Sequence, residues 1–526
     1  RAARSRGEAT FLAVSGQALS FRAFCERVLA TARGLSARGF QKGDRLAIHV
    51  HRCIDESVAL LAAAVAGGLA VPIHSKLKDD SVRHVLDDCD PWAVVASATR
   101  GALLRDPDSV FRGRRLFVVD DGPRDAMGTA SEAFATLAQT DGYQTDGYQT
   151  GGDQTDGELP RLQPSDPAIL LYTSGSTGRS KGVIQSHENL ALGARIVADY
   201  LHLAATDHIL AVLPFSFDYG LNQLLSALHA GCRVTAADFL GLGELATLLA
   251  TVRPTGLAGV PSLWHEIARG LQTNALSPDC GQTLRYVTNS GGRLDRNSLR
   301  TIRANWPHVA VFAMYGLTEA FRSAFLDPAE IDGNDSSFGR AIAGVELLLV
   351  DVATGSVLTG PATGELVHAG ALVAHGYWNR DDATRERFRP DPRGIPGTVV
   401  YSGDLVRRDP DGRLYFVARL DRMLKVAGHR ISPDEVAEVL RTCSGVGEVA
   451  VWGQDAGAQG HRIVCAVQGD PHDRDLSPRI LRHCRSRLPA YMVPAEVRVF
   501  AELPHTQNGK IDLPRLERDD ACTDTP

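Results

Sequence analysis

From Thr10 to Ala98, short apolar runs alternate with stretches whose apolar residues recur at helical spacing. Arg45-Leu-Ala-Ile-His-Val50 and Trp92-Ala-Val-Val-Ala96 have the length and branched character of buried strands, whereas Asp79 to Asp88 is helix-like. Such alternation predicts an α/β layered domain with largely parallel strands. The most apolar stretch, Val58 to Ile73, is broken by two glycines and Pro72. It falls short of the roughly 20 residues of a membrane span, and predicts a buried helix running into a strand. Gln139 to Gly157 repeats Gln-Thr-Asp-Gly with almost nothing apolar, and a tract that cannot bury surface predicts a disordered insertion, a solvated loop without function. The α/β alternation resumes behind it and continues to about Val417. Arg419-Leu-Asp-Arg-Met-Leu-Lys-Val426 reads as a linker, and a βαββα-like pattern follows. The expected organisation is a large core over 1–420, with the insertion at 139–157, and a small α+β lobe over 421–526.

Composition narrows the function. The 526 residues exceed one compact core, and 44% apolar with 22% charged residues is the balance of a soluble globular protein. A net charge of -6 without a long basic run argues against nucleic acid as a partner, and no stretch argues for a membrane. The nine cysteines are scattered and form no C-x-x-C pair, so neither a disulfide framework nor a zinc site is expected, in keeping with a cytoplasmic location. No signal segment opens the chain, and it begins at Arg1, so its true start has been trimmed or is not shown.

The chemistry concentrates in Ile169-Leu-Leu-Tyr-Thr-Ser-Gly-Ser-Thr-Gly-Arg-Ser-Lys-Gly182, an apolar strand running into hydroxyls and glycines that end in a lysine. Glycines let backbone N–H groups approach a phosphate, hydroxyls add donors and lysine adds charge. The spacing is not that of a Walker loop, because only two residues separate Gly178 from Lys181 and Gly182 follows the lysine. The dinucleotide pattern G-x-G-x-x-G is also absent there.

Thr173-Ser-Gly-Ser-Thr-Gly178 with Lys181 and Gly182 resembles the phosphate loop of the acyl-adenylate-forming superfamily: acyl-CoA synthetases, luciferases and nonribosomal peptide adenylation domains. Tyr315-Gly-Leu-Thr-Glu319, Tyr401-Ser-Gly-Asp404, Arg419-Leu-Asp421, Lys425-Val-Ala-Gly-His-Arg-Ile431 and Asn508-Gly-Lys510 match further motifs in that family's order. The resemblance covers nearly the whole chain. It implies an α/β fold, a large multi-sheet N-terminal core with a mobile C-terminal lobe, and an AMP-forming acid–thiol ligase using ATP and Mg²⁺. By the same resemblance Thr173, Ser174, Gly175, Ser176, Thr177, Gly178 and Lys181 hold phosphates. Tyr315 stacks on adenine beside Gly291, Gly292, Met314 and Gly316, while Asp404 and Arg419 take the ribose. Thr318 binds the α-phosphate, Glu319 is the Mg²⁺ ligand, and Lys510 bridges the carboxylate and the α-phosphate. Asp421 is the implied hinge, swinging Lys510 out and the Lys425 to Ile431 face in for thioester formation. One departure is Ala313, where the family often carries Asn, Gln or Asp to read the adenine amino group; backbone around Gly291 and Gly292 is the expected substitute.

Leu213-Pro-Phe-Ser-Phe-Asp-Tyr-Gly220 bears on the acid. Amino-acid-activating members of the family carry F-D here, and a carboxylate in an apolar pocket is costly unless a cation meets it. Asp218 therefore predicts an amino acid, the alternative being an N-cap for a Gly220 to His229 helix. The family's pocket positions fall on Asp218, Tyr219, Asn222, Thr288, Ser290, Met314, Arg322 and Ser323. With Asp218 and Ser290, Arg322 suggests an ammonium and a second carboxylate, as in aspartate or 3-methylaspartate; the alternative is that Arg322 faces solvent or a structural acid. In this the chain resembles the stand-alone enzymes that load β-amino acids onto carrier proteins in macrolactam antibiotic pathways. The implied partner is an acyl or peptidyl carrier protein bearing phosphopantetheine, or coenzyme A. The competing reading is an AMP-forming acyl-CoA ligase for a non-amino acid.

Overall fold

The structure, a computed structural model, describes residues 5–97, 110–111, 113–119, 131–139, 159–173, 180–422, 424–426, 429–455, 461–506 and 509–521. In the first of two large sheets, Arg45–His49 lies between Leu69–Pro72 and Ala93–Ser97, all parallel. Leu116–Val119 and Ser131–Ala133 extend one side. Pro167–Thr173 extends the other and turns back antiparallel into Lys181–Ser186. Its inner strands are buried along nearly their whole length, as in parallel sheets whose two faces are both covered. The expected helix and strand in Val58 to Ile73 are Ile54–Val65 and Leu69–Pro72, and Asp79–Cys89 is helical.

The second sheet has a parallel centre: Thr10–Val14, Arg233–Ala236, His208–Ala211, Gly256–Gly259, Tyr286–Asn289 and Ala310–Tyr315. From Ala324 the expectation of continued α/β alternation fails. Ala324–Leu326, Ser337–Ala341, Val345–Val350, Ala362–Gly370, Thr398–Arg408 and Leu414–Arg419 pair antiparallel, interrupted by the short helix Asp381–Arg387. The connections decide this: a parallel return needs a crossover of about a dozen residues, and the paired strands ending at Arg408 and starting at Leu414 leave no room for one. Phe11, Ile48, Val58, Val95, Leu221, Leu224 and Val234 form one core between the sheets.

Beyond Leu420–Arg422, a 3₁₀ turn that contains Asp421, come the hairpin Leu424–Val426 and His429–Ile431, helix Pro433–Arg441, strands Val449–Asp455 and His461–Gln468, and helix Leu476–Arg485. Strand Glu496–Phe500 and helix Leu513–Ala521 then extend the expected βαββα-like order. These elements bury their own cluster, including Ile431, Val436, Leu440, Cys465 and Ile480. Among the described residues no helix is long and apolar enough to cross a membrane. Of the insertion expected at 139–157, all but Gln139 lies outside the described residues, and Gln139 caps the turn Phe134–Ala138.

Candidate active site

Several of the expected residues sit at or just past the C-terminal ends of parallel strands, the usual crevice for ligands in such sheets. Thr173 ends one strand opposite Lys181, which starts the next; Ser174, Gly175, Ser176, Thr177 and Gly178 lie outside the described residues. Ser290, Gly291 and Gly292 follow Tyr286–Asn289, and Tyr315 ends Ala310–Tyr315.

Asp218 is the first residue of helix Asp218–Ala230, with Phe217 in the cap position, so it does not cap the helix. Its Oδ1 accepts a 2.7 Å hydrogen bond from the Tyr219 amide, and Arg322 Nη1 stands 3.5 Å from its Oδ2. Both side chains are buried, and burial raises the Asp218 carboxyl above its ordinary range while Arg322 opposes the shift. Arg322 therefore does not face solvent. Its guanidinium lies 4.9 Å from the Tyr219 ring, and Nη1 donates to Phe321 O at 3.0 Å. Nε and Nη2 are buried with no hydrogen-bond partner among the described residues. One turn after Asp218, the Asn222 Nδ2 is likewise unpartnered, while its Oδ1 accepts from Ser226 at 2.9 Å. The Tyr219 hydroxyl meets Thr288 Oγ1 at 2.5 Å, Ser290 is buried, and Ser323 Oγ bonds His368 Nδ1 at 2.8 Å. Met314 faces this acid side: it packs with Tyr219 and Phe312, and its sulfur accepts from the Tyr200 hydroxyl at 3.7 Å.

Tyr315 points to the opposite face, as strand alternation requires. Its ring stacks on Phe338 at 4.4 Å, and its hydroxyl donates to Asp404 Oδ2. Arg419 Nη1 reaches Asp404 Oδ1 at 2.9 Å, and burial raises the Asp404 carboxyl while Arg419 and Tyr315 counteract it. Asn289 stands in register with Ala313, and its Nδ2 donates to Gly292 O at 2.8 Å. Gly316 lies against the Phe321 and Arg322 backbone.

Thr318 and Glu319 lie in the turn Thr318–Ala320. Tyr377 donates to Glu319 Oε1 at 2.6 Å, Lys181 Nζ lies 5.3 Å from the Tyr377 ring centroid, and Gln185 Nε2 donates to Thr318 O. A carboxylate held by one oxygen presents the other, and a single hard oxygen suits Mg²⁺, which keeps water and takes phosphate oxygens for the rest of its shell. Glu319 thus fits the expected metal ligand.

Lys510 closes the cleft from the C-terminal side. Its Cε lies 3.6 Å from where a side chain on Gly291 would begin, and Ser262 Oγ donates to Gly509 O at 2.9 Å. The Lys510 side chain keeps solvent access. Surrounding protein nonetheless lowers its ammonium below the usual lysine range, against Asp218, Asp404 and Glu319, which favour the charged form. Asp218, Asp404, Arg419 and Glu319 are therefore each within electrostatic reach of Lys510.

Sequence reasoning missed Tyr377, Gln185, Tyr200 and Phe321. Each makes its contact across a long chain separation, and no local motif marks it. Arg52 was missed too: its Nη2 donates to Leu213 O at 2.8 Å and its guanidinium covers Phe215 at 4.3 Å, so it braces the loop that delivers Asp218. Glu56 and Asp238 flank Arg52 at 3.6 and 3.5 Å.

Residues 1–378 match the family "AMP-binding enzyme", and residues 435–510 its C-terminal domain. An L-proline--[L-prolyl-carrier protein] ligase of Streptomyces coelicolor is 30% identical over 513 residues, covering 96% of this chain and 93% of that protein. Surfactin synthase subunit 1 of Bacillus subtilis is 28% identical over 97% of this chain, which spans only 13% of the synthase. Among solved structures, ATP-bound MatB from Rhodopseudomonas palustris superposes with a TM-score of 0.82 at 25% identity, over 98% of each chain. Klebsiella oxytoca NpsA with 3-hydroxyanthranilyl-AMSN gives 0.79 at 22% identity, over 99% of this chain and 98% of that one.

Proposed function

This chain belongs to the AMP-binding enzyme family and is an AMP-forming acid–thiol ligase that uses ATP, and we propose that its acid is an amino acid with a second carboxylate, of the aspartate or 3-methylaspartate kind. The observation that carries this reading is the buried pair of Asp218 and Arg322, with Arg322 Nε and Nη2 left without partners. A dicarboxylic amino acid brings one ammonium and two carboxylates. Asp218 receives the ammonium, Arg322 the second carboxylate, and Lys510 the reacting one, so every charge meets its opposite.

In the proposed first step, a carboxylate oxygen attacks the α-phosphorus and the bond to pyrophosphate breaks. Lys510 stabilises the charge gathering between the acid and the α-phosphate. Tyr315 and Asp404 hold the nucleoside, Thr318 meets the α-phosphate, and Lys181 supports the departing pyrophosphate. Mg²⁺ on Glu319 supplies charge neutralisation for the phosphates. In the second step the thiolate of a carrier protein's phosphopantetheine attacks the acyl carbon and AMP leaves. Asp421 is the proposed hinge between the steps, the core spanning 1–420 and the mobile lobe 421–526. The relative that loads prolyl carrier protein supports a carrier protein as acceptor.

One observation favours a second reading. Arg322 already neutralises much of the Asp218 charge, so a pocket of this kind also suits a non-amino acid, and the enzyme would then be an acyl-CoA ligase. Substrate-dependent ATP–pyrophosphate exchange decides between them. Aspartate and 3-methylaspartate are expected to support exchange, with other α- and β-amino acids weaker and fatty, aryl and simple dicarboxylic acids inert. Exchange confined to acids without an amino group would replace the first reading by the second.

A further inference from the structure

Phe321 is a fully buried residue with a positive φ, at φ 54 and ψ -63. The Arg322 amide donates to Ala320 O at 2.7 Å, closing a three-residue turn around it. Turns of this form are rare and strained for a side chain that begins with a Cβ. Such strain persists only where the surroundings impose it. Here the turn separates two duties. Thr318 and Glu319 before it are held by Gln185 and Tyr377, and Arg322 after it enters the acid pocket with its Nη1 anchored to Phe321 O at 3.0 Å.

The ring is fixed by an absence. Helix His187–Tyr200 carries Gly193 in its interior, where alanine is ordinarily the more stable choice. A Cβ on Gly193 would stand 2.3 and 2.4 Å from Phe321 Cδ1 and Cε1, closer than carbon atoms tolerate. With no side chain at that position, the ring seats against bare helix backbone.

We infer that Gly193 and Phe321 form a positioning device that aims the Arg322 guanidinium at Asp218 and so sets the specificity of the acid pocket. The inference rests on the acid reading given above, and its test separates the two. With L-aspartate as the probe acid, Gly193→Ala should raise KM for aspartate about 10-fold, the scale of a lost charge-assisted bond, and leave KM for ATP within about twofold. Adding Phe321→Leu to Gly193→Ala trims the ring and should restore most of the aspartate KM. A merely structural role would move both KM values together or resist rescue, and either result overturns the inference. Arg322→Ala is the reference: if it leaves aspartate exchange intact, the acid reading fails. A crystal structure of Gly193→Ala tests the device without substrate. The separation of Arg322 Nη1 from Asp218 Oδ2, 3.5 Å in the native chain, is expected to open beyond hydrogen-bond and ion-pair range. A guanidinium still in place would refute the device, whatever the enzyme activates.

Discussion

Replacing Asp218 by Asn keeps the shape of the side chain and removes its charge. The Arg322 and Asp218 side chains are only 4% and 3% exposed, with 3.5 Å between their charged atoms. At an effective dielectric of about 20, unit charges so placed attract by roughly 5 kcal/mol. Desolvation offsets most of that attraction, so the measurable effect is what remains after one partner is removed. A guanidinium left buried and unpaired costs about 3–5 kcal/mol. Asp218→Asn should therefore lower thermal stability, and the double variant Asp218→Asn with Arg322→Met should recover much of the loss, because no charge is then stranded. Activity should not follow stability. The substrate ammonium loses a charge-assisted partner worth about 1.5–3 kcal/mol, or roughly 10- to 150-fold in kcat/KM for the amino acid, and the double variant restores none of it. The assays are thermal unfolding and ATP–pyrophosphate exchange with aspartate varied at saturating ATP. If Asp218→Asn leaves kcat/KM for aspartate within about threefold of native, no ammonium meets Asp218. If the double variant is no more stable than the single, the stranded-charge argument is wrong.

Two further outcomes are expected. Tyr377→Phe removes the 2.6 Å bond to Glu319, a contact to a charged group worth about 1.5–3 kcal/mol, so the Mg²⁺ concentration for half-maximal exchange should rise about 10-fold with KM for aspartate unchanged; an unaltered Mg²⁺ dependence would show that Glu319 needs no such support. Burial raises the Glu56 carboxyl to about 7, with Arg52 opposing. A group whose folded pKa lies above its unfolded value binds more protons in the native state, so its contribution is full below the unfolded value near 4.5 and is lost as pH rises through about 7. Glu56→Gln should flatten the dependence of melting temperature on pH across that window, and a profile as steep as native would mean another group sets it.

The sequence carried the fold where the signals are local. The strand–helix alternation over the first hundred residues and the helix-to-strand run in Val58 to Ile73 rest on periodicity and on burial of whole apolar segments, which neighbouring residues express directly. The antiparallel region after Ala324 did not show itself. Its strands mix buried and exposed positions, and their pairing direction lies in connections too short for a crossover, such as Arg408 to Leu414, which periodicity does not register. The candidate site divides the same way. Glycines, hydroxyls and Lys181 within one stretch of chain are a local signal for a phosphate loop, and Ser174 to Gly178 of it lie outside the described residues. The support of Glu319 by Tyr377, of Thr318 by Gln185 and of the Asp218 loop by Arg52 depends on which elements the topology makes neighbours. Asp218 shows how narrow the margin is: the chain enters its helix two residues earlier than the sequence suggested, which turns a possible cap into a buried charge.

The strand Ala310–Tyr315 shows how one short segment can serve the two ligand sites proposed above. Successive side chains on a strand face opposite ways. Phe312 and Met314 pack with Tyr219 on the acid side, whereas Tyr315 packs with Phe338 and Leu349 and bonds Asp404 on the nucleotide side. On the function proposed above, the sheet stands between the acid pocket and the nucleotide cleft, and Lys510 reaches its C-terminal edge beside Gly291. An acid too long for its pocket cannot place its carboxylate at that edge, and one too short cannot reach it. With the roles proposed for Asp218 and Lys510, adenylation would require the acid to fill the distance between them, so the length of the substrate would be read by the same geometry that brings the two reactants together.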